Sequence, residues 1–157
     1  MSKIRKILII LVVVIFLGVV IFFVQKEYFS NSREEPLSDV DSWYKKDILG
    51  NKDDLISFSI LPNTKVQGVV PYRGMITGGY FFEGNILVNV TDINKNIILK
   101  GNAMATTEWM TEGPVNFEGD IDFSLLPKGG AYIEIHNDNA SGLPENDKSV
   151  LIPIIIE

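Results

Sequence analysis

The chain contains a single histidine, His136, so acid–base or nucleophilic chemistry based on imidazole would depend on it. A serine–histidine pair needs an activated serine within reach of the base and a carboxylate that orients the ring. Ser141, a few residues further on, lies in "NASGL" and not in the Gly-x-Ser-x-Gly elbow that exposes a nucleophile between a strand and a helix. We therefore interpret His136 as a polar residue at a strand end, and we predict no catalytic residue.

Oxygen-bearing side chains are concentrated in the segment after His136. Ca²⁺ binds such oxygens, but the Asp-x-Asp-x-Asp-Gly pattern of a dedicated calcium loop is missing. The chain has no cysteine, and neither a phosphate-binding nor a dinucleotide-binding glycine motif. We predict no metal and no cofactor, with calcium as the alternative left open for this segment. The oxygen donors are Asn137, Asp138, Asn139, Glu145, Asn146 and Asp147.

Three more carboxylates occur in "VNFEGDIDFSL", where polar and apolar residues alternate. Glu118, Asp120 and Asp122 share one face, and Phe117, Ile121 and their alternates share the other. A period of two is typical of a strand with one buried and one solvated face. These carboxylates therefore indicate a solvated strand face and not a pair in a catalytic cleft.

Residues 7–24 form an apolar run in which Gly18 is the one residue without an apolar side chain. As a helix rising about 1.5 Å per residue, eighteen residues approach the roughly 30 Å thickness of a hydrocarbon core. A cleaved signal peptide has a shorter apolar region followed by small residues, and "QKEYFSNSREE" supplies no such site. A buried soluble helix would need a polar face, which is missing. We predict an uncleaved transmembrane signal anchor.

The distribution of charge predicts the orientation of this anchor. Lys3, Arg5 and Lys6 precede the run, and cytoplasmic flanks hold the excess of basic residues. All 20 acidic residues follow the run, with 11 of the 14 basic ones, so the remainder carries a net charge of −9. We expect the N-terminus in the cytoplasm and the C-terminal part outside. Such an acidic surface argues against nucleic acid as a partner.

We divide the chain into four parts: a basic cytoplasmic tail (1–6), the transmembrane helix (7–24), a linker (25–53) and a β-domain (54–157). Within the linker, "DSWYKKDILG" (41–50) could form one or two helical turns that end at Gly50. Turn signals divide the last part into about seven or eight short strands without a long helix, which is typical of an antiparallel sandwich. The predicted strands are 55–61, 65–70, 74–82, 85–92, 97–106, 115–125, 130–137 and 149–156. Pro153 removes one ladder donor, which suits an edge strand or a bulge.

Three stretches in order resemble a known family. They are "GGYFFEGN", "TTEWMTEGPVNFEGDIDF" and "NDNASGLPENDKSVLIPI". Together they resemble the immunoglobulin-like domain of bacterial spore germination, over roughly residues 55–157. The resemblance implies an immunoglobulin-like β-sandwich without established catalytic residues, carried here on a single-span anchor. Where that family often has Ser-x-x-Asp-Gly, residues 139–145 of this chain read Asn-Ala-Ser-Gly-Leu-Pro-Glu, without that aspartate.

Two connections carry residues suited to binding. In the loop before the last strand, Gly142 and Pro144 fix the backbone, and ordered loops at one end of a sandwich commonly carry contacts. In "EWMTEG", Trp109 and Met110 could form an exposed anchor, or Trp109 could cap the core. The predicted binding residues are Trp109, Met110, Asn137, Asp138, Asn139, Ser141, Leu143 and Glu145.

Glu83 follows three aromatic residues, so its carboxylate is either buried and holds a neighbouring loop or is exposed in a turn. With Gly142, Pro144 and Pro153 it completes the residues predicted to have structural roles. Taken together, the sequence favours a membrane-anchored, extracytoplasmic, non-enzymatic module that binds an envelope protein or a cell-wall component. The alternative is a structural subunit of a cell-envelope assembly.

Overall fold

The computed structural model describes residues 44–139 and 141–157. The predicted membrane anchor at residues 7–24 lies outside these residues, and none of the helices within them has the length and apolar character to cross a membrane. Within them the chain forms ten strands and two short 3₁₀ turns. The strands are β1 (Leu49–Gly50), β2 (Leu55–Phe58), β3 (Thr64–Val66), β4 (Val69–Thr77), β5 (Asn85–Asp92), β6 (Ile97–Leu99), β7 (Asn102–Ala105), β8 (Pro114–Asp122), β9 (Gly129–His136) and β10 (Ser149–Ile156).

Eight of the ten strands follow one hydrogen-bonded path in the order β1-β10-β9-β5-β7-β8-β4-β2, while β3 pairs with β10 and β6 pairs with β5 off this path. One group contains β10, β9 and β5, and the other contains β8, β4 and β2. Strand β7 connects them, because it pairs with β5 opposite Asn85 and with β8 opposite Glu118. The pairing is antiparallel except between β3 and β10. The fold is therefore all-β and largely antiparallel, as the alternating sequence pattern predicts.

The alternating apolar side chains of both groups form one buried core. Phe58, Tyr72 and Phe117 pack their rings at its centre, with centroids 5.5 to 6.5 Å apart. Ile133 of β9 and Ile152 of β10 are fully buried and belong to the same cluster. A core shared by the two groups of strands is consistent with an immunoglobulin-like sandwich.

Residues before the predicted domain boundary also belong to this core. Tyr44 and Ile48 are buried, and Leu49 and Gly50 pair with β10. The hydroxyl of Tyr44 donates to the carbonyl of Phe58, and burial raises the pKa of Tyr44 to about 12. The packed part of the chain therefore begins earlier than residue 54. Gly50 does not end the helical turn, which the structure places at residues 45–47, but lies in strand β1.

The predicted strands 65–70 and 74–82 are wrong in their bounds. The chain turns at Gly68, whose φ is +63°, and "VVPYRG" extends as the first part of β4. Pro71 is tolerated there because β2 and the following Ser59 bond to β4 only as far as Arg73, so among the described residues Pro71 has a strand neighbour, β8, on one side alone. At the other end of β4, Gly78 and Gly79 turn the chain, and Tyr80 enters the core.

Pro153 lies in an internal strand and not at an edge, because β10 pairs with β9 on one side and with β1 and β3 on the other. The carbonyl of Pro153 accepts a hydrogen bond from the Asn63 backbone N–H. Backbone N and C=O of one strand residue point to the same side, so the missing donor lies on the β1 and β3 side. There β10 changes partner, between Leu151 opposite β1 and Ile154 opposite β3.

Candidate binding end of the domain

The two predicted binding connections lie at the same end of the domain. In the strand register Leu87 lies opposite His136, so the start of β5 and the end of β9 adjoin. Thr77 lies opposite Pro114, so the end of β4 adjoins the start of β8. Three connections therefore share this end: 78–84, 106–113 and 137–148. We call them together the loop end, and we call the connections 59–63, 93–96 and 123–128 the far end.

The segment 78–84 lies between the other two connections and contacts both. The Gly78 backbone N–H donates to the carbonyl of Glu112, and a Cβ on Gly78 would lie 1.7 Å from the Thr111 carbonyl oxygen. On its other side, the Lys148 ammonium lies over the Tyr80 ring, 5.7 Å from the centroid. Glycine at position 78 is thus required by close approach of another backbone. The three connections form one contiguous surface.

Tyr80 anchors this segment in the core. Its ring is fully buried, and its hydroxyl donates to the Asp54 carboxylate at 2.9 Å. Burial, and then the hydrogen bond to Asp54, raises the pKa of Tyr80 far above its usual range. Phe81 packs against Phe117 of β8, with ring centroids 6.3 Å apart. The segment is therefore held in place by its aromatic residues.

Glu83 does not hold a neighbouring loop through a buried carboxylate; the structure corrects this hypothesis. Its side chain is exposed, and Glu83 and Gly84 both have positive φ, 49° and 77°. Phe82 and Asn85 exchange two backbone hydrogen bonds of 2.9 Å around them. Positive φ at both central residues is the requirement of a type I′ hairpin turn, which directs the first side chain to solvent. Its structural role therefore comes from its backbone.

Asn137, and not Glu83, is the residue that holds a loop through a buried side chain. It is 7% exposed, its Oδ1 accepts from the Lys148 N–H at 2.8 Å, and its Nδ2 donates to the Asn146 carbonyl at 2.9 Å. Its own backbone N–H donates to the Lys148 carbonyl. The residue predicted to contact a partner thus closes the base of the 137–148 loop from within, and it is not available on the surface.

The outer part of the loop is organised by Asn139 and Ser141. Asn139 Nδ2 donates to the Leu143 carbonyl and to Asp147 Oδ1, both at 2.7 Å. The Ser141 hydroxyl accepts from the Leu143 N–H and from Asn146 Nδ2. Gly142 has φ of +64°, and Pro144 begins a 3₁₀ turn, as their residue types predict. Asp138, Leu143 and Glu145 remain exposed.

Trp109 and Met110 differ in exposure. Met110 is 74% exposed, and its N–H donates to Glu108 Oε1 at 3.1 Å, which turns the chain there. Trp109 is half-buried: its Nε1 lies 3.6 Å from where a Cβ on Gly84 would be. Gly84 is buried although it lies in a turn, because the indole is placed against it. Trp109 therefore packs on the hairpin turn of 78–84, and the Met110 side chain is exposed to solvent.

His136 ends β9 and lines a shallow groove of about 380 Å³ on the outer face of β5 and β9. Glu134 in the same groove accepts a hydrogen bond from Asn89 Nδ2 at 3.1 Å. The other lining residues are Leu87, Ile97, Lys100 and Gly101, so the groove has no hydroxyl or thiol nucleophile. Across residues 44–139 and 141–157, no three metal-ligating side chains come together in a group that could hold an ion.

The family model for the immunoglobulin-like domain of bacterial spore germination matches residues 61–142, a little over half of the 157 residues. The chain belongs to this family. The match begins in the connection before β3 and ends in the 137–148 loop, so it includes both the 78–84 and the 106–113 segments. No curated protein and no solved structure matches the chain.

Membership of this family confirms the resemblance drawn from the three sequence stretches. Two of the stretches, around Tyr80 and Trp109, lie wholly within the match, and the third begins within it. These stretches meet at the loop end. The family match therefore covers the 78–84 and 106–113 connections and the first residues of 137–148, where most of the predicted binding residues lie.

Proposed function

We propose that this chain is a non-enzymatic binding module, tethered to the membrane by residues 7–24 and held outside the cytoplasm, which contacts a protein or cell-wall partner through the loop end. The observation that carries the proposal is the convergence of three connections on one surface. Segment 78–84 is anchored by buried Tyr80 and supports the other two, on which Met110, Leu143 and Glu145 are exposed. A rigid framework that presents loops at one end is the usual arrangement of binding modules on β-sandwiches.

Chemistry at the one histidine has little support. Its groove supplies an imidazole, a lysine and a carboxylate that is already hydrogen-bonded to an amide. A hydrolytic or transfer reaction would need a nucleophile within hydrogen-bond reach of the imidazole. Membership of an immunoglobulin-like family agrees with a binding function and does not itself identify the ligand.

Amide hydrogen exchange on the full-length chain tests the location of the contact surface. Exchange is measured with and without purified cell-wall fragments, and separately with solubilised envelope proteins. We expect slower exchange in 78–84, 106–113 and 137–148, with no change in 59–63, 93–96 and 123–128. Protection at the far end alone, or in neither place with either preparation, would exclude binding through the loop end. Protease added to intact cells should remove the C-terminal part, and resistance to it would contradict the extracytoplasmic location.

A structural subunit of an envelope assembly is the second candidate, and one observation favours it. Within residues 44–139 and 141–157, strand β2 ends the sheet path and has a strand neighbour on one side only, with Ile56 exposed. An unpaired edge can accept a strand from another chain. Recovery of fixed stoichiometric partners from membranes, with exchange protection in Leu55–Phe58, would favour this candidate over recognition by loops.

A further inference from the structure

The loop end and the adjoining strand β7 expose a group of apolar side chains that the core does not explain. Phe82 is 49% exposed, Met104 52% and Met110 74%, and half-buried Trp109 lies with them. They occur on segments in contact: Met104 lies opposite Asn85, the Ala105 N–H donates to the Gly84 carbonyl, and Trp109 packs on Gly84. We call Phe82, Met104, Trp109 and Met110 the apolar patch. Contiguous exposed apolar surface is a mark of an interaction site.

The residue types of this patch are those of a contact surface. Tryptophan is enriched among the residues that dominate binding energies, and methionine adapts its flexible side chain to varied partners. The far end also exposes apolar residues, among them Ile93 and Leu125. Those are aliphatic side chains on short, separate turns, and scattered exposed residues of that kind are normal.

Along the chain, the segments that carry the patch contain acidic residues and no basic ones. Residues 74–94 and 101–127 contain no lysine or arginine. Glu83, Glu108 and Glu112 are exposed on 78–84 and 106–113, the two connections that also carry Phe82, Trp109 and Met110. Lys148 contacts segment 78–84 at Tyr80, with its ammonium 5.7 Å from the ring centroid. An occupant would therefore meet apolar surface bordered by carboxylates around Trp109 and Met110, while Arg73 lies opposite Glu118, the β8 neighbour of Met104.

We propose that the apolar patch receives a basic segment of a protein partner, in which an apolar side chain packs on Met110 and Trp109 while lysine or arginine residues pair with Glu83, Glu108 and Glu112. This inference rests on the proposed function and names the class of partner. Complementary charge at the rim increases the rate of association and excludes like-charged surfaces. Anionic lipid is disfavoured by the same carboxylates, and so is a second copy of this acidic surface.

Tryptophan fluorescence provides a direct readout. A Trp43→Phe background leaves Trp109 as the one tryptophan in the full-length chain. The probes are synthetic peptides of equal length: a lysine-rich peptide with two leucines, the same peptide with serine for leucine, and a glutamate-rich peptide with the two leucines. Phosphatidylglycerol and phosphatidylcholine vesicles are titrated in parallel, and sedimentation measures self-association.

We expect a blue shift with the basic leucine peptide, and an affinity that weakens as salt is raised from 50 to 300 mM. Met110→Ala should weaken binding about fivefold or more, as expected for an anchor side chain, while its control Leu125→Ala leaves it unchanged. Glu112→Gln should weaken it about two- to fivefold through the loss of a rim charge, while its control Asp120→Asn does not. The serine and glutamate peptides should bind at least about tenfold more weakly.

Several results would overturn the inference: equal binding of all three peptides, no binding of the basic leucine peptide, stronger binding of either vesicle, or self-association that Met110→Ala abolishes. Loss of binding in a variant counts only if its melting temperature is unchanged. Failure here is distinguishable from failure of the proposed function. Cell-wall fragments that slow exchange at the loop end without competing with the peptide would leave the proposed function standing and reject the basic partner.

Discussion

Two hydrogen bonds between Asn137 and Lys148 close the base of the longest connection at the loop end, and a third joins the Asn137 side chain to the Asn146 carbonyl. The Lys148 N–H donates to Asn137 Oδ1 at 2.8 Å, and the Asn137 N–H donates to the Lys148 carbonyl at 3.1 Å. Because Asn137 is buried, these bonds form away from water. One amide side chain therefore fixes the geometry of a loop that carries several predicted contact residues.

Replacing Asn137 with alanine should destabilise the domain. The Lys148 N–H and the Asn146 carbonyl would lose buried partners, which costs about 1–3 kcal/mol of unfolding free energy. Denaturant unfolding measures this loss, and Asp138→Ala, at an exposed neighbour, is the matched control. Equal stability of the two variants would show that the loop does not depend on the Asn137 side chain.

Replacing Tyr80 with phenylalanine removes the hydrogen bond to Asp54 and keeps the buried ring. We expect a loss of about 0.5–1.5 kcal/mol at neutral pH. Burial and the Asp54 hydrogen bond raise the pKa of Tyr80 above its ordinary value of 10.0, so its contribution is present below pH 10 and is lost as the pH rises further. The difference in melting temperature between wild type and variant should therefore shrink above pH 10. A difference that grows there would contradict the assignment.

Glu83→Gln should leave the melting temperature unchanged, because the carboxylate is exposed and the turn depends on backbone angles. Glu83→Asn should raise stability, since asparagine followed by glycine is the preferred pair in a type I′ turn; we expect a gain of a few tenths to about 1 kcal/mol. Thermal unfolding of the two variants checks both. A marked loss in Glu83→Gln would restore the hypothesis of a carboxylate that holds a loop.

We expect Asp92 to make the stability of the fold depend on pH in the acidic range. Hydrogen bonds from the Asn96 side chain and backbone, and from Asn94, lower the pKa of Asp92 below its ordinary value of 3.8. A lowered folded-state pKa stabilises the protein above about pH 4, and this stabilisation is lost as the pH falls through the lowered value. Wild type should therefore melt higher than Asp92→Asn at pH 7, with the difference disappearing towards pH 2. Asn96→Ala should reduce the same difference, and a gap independent of pH would exclude this origin.

The sequence predicts much of this fold because alternation has a direct physical cause. In β8, each apolar residue that alternates with Glu118, Asp120 and Asp122 is buried, and each of these carboxylates is exposed. The bounds of β4 could not be predicted, because proline and glycine in "GVVPYRG" are turn signals in isolation. They are compatible with a strand only where β2 stops short of Pro71, which is a fact of sheet pairing and not of local sequence.

The candidate site, like the fold, is predicted by local sequence in some features and not in others. Residue types predict that Gly142 and Pro144 fix the backbone of this loop, and in the structure Gly142 has a positive φ and Pro144 begins a 3₁₀ turn. The sequence predicts a loop-holding role for Glu83 and a partner contact for Asn137, whereas the structure has Asn137 holding the loop. Three aromatic residues before Glu83 indicate burial, but in the structure the burial ends at Phe81. An asparagine directly after an alternating strand was a usable signal for a loop-closing residue, since such side chains bond to nearby backbone.

Site-specific photo-crosslinking in cells that make the full-length chain tests the binding end most directly. The photoreactive residue is introduced in turn at Met110 and Leu143 of the loop end, and at Ile93 and Leu125 of the far end, all of which are exposed. Discrete adducts from Met110 or Leu143, and none from Ile93 or Leu125, are the predicted result. Adducts from the far-end positions with none from the loop end would contradict the account.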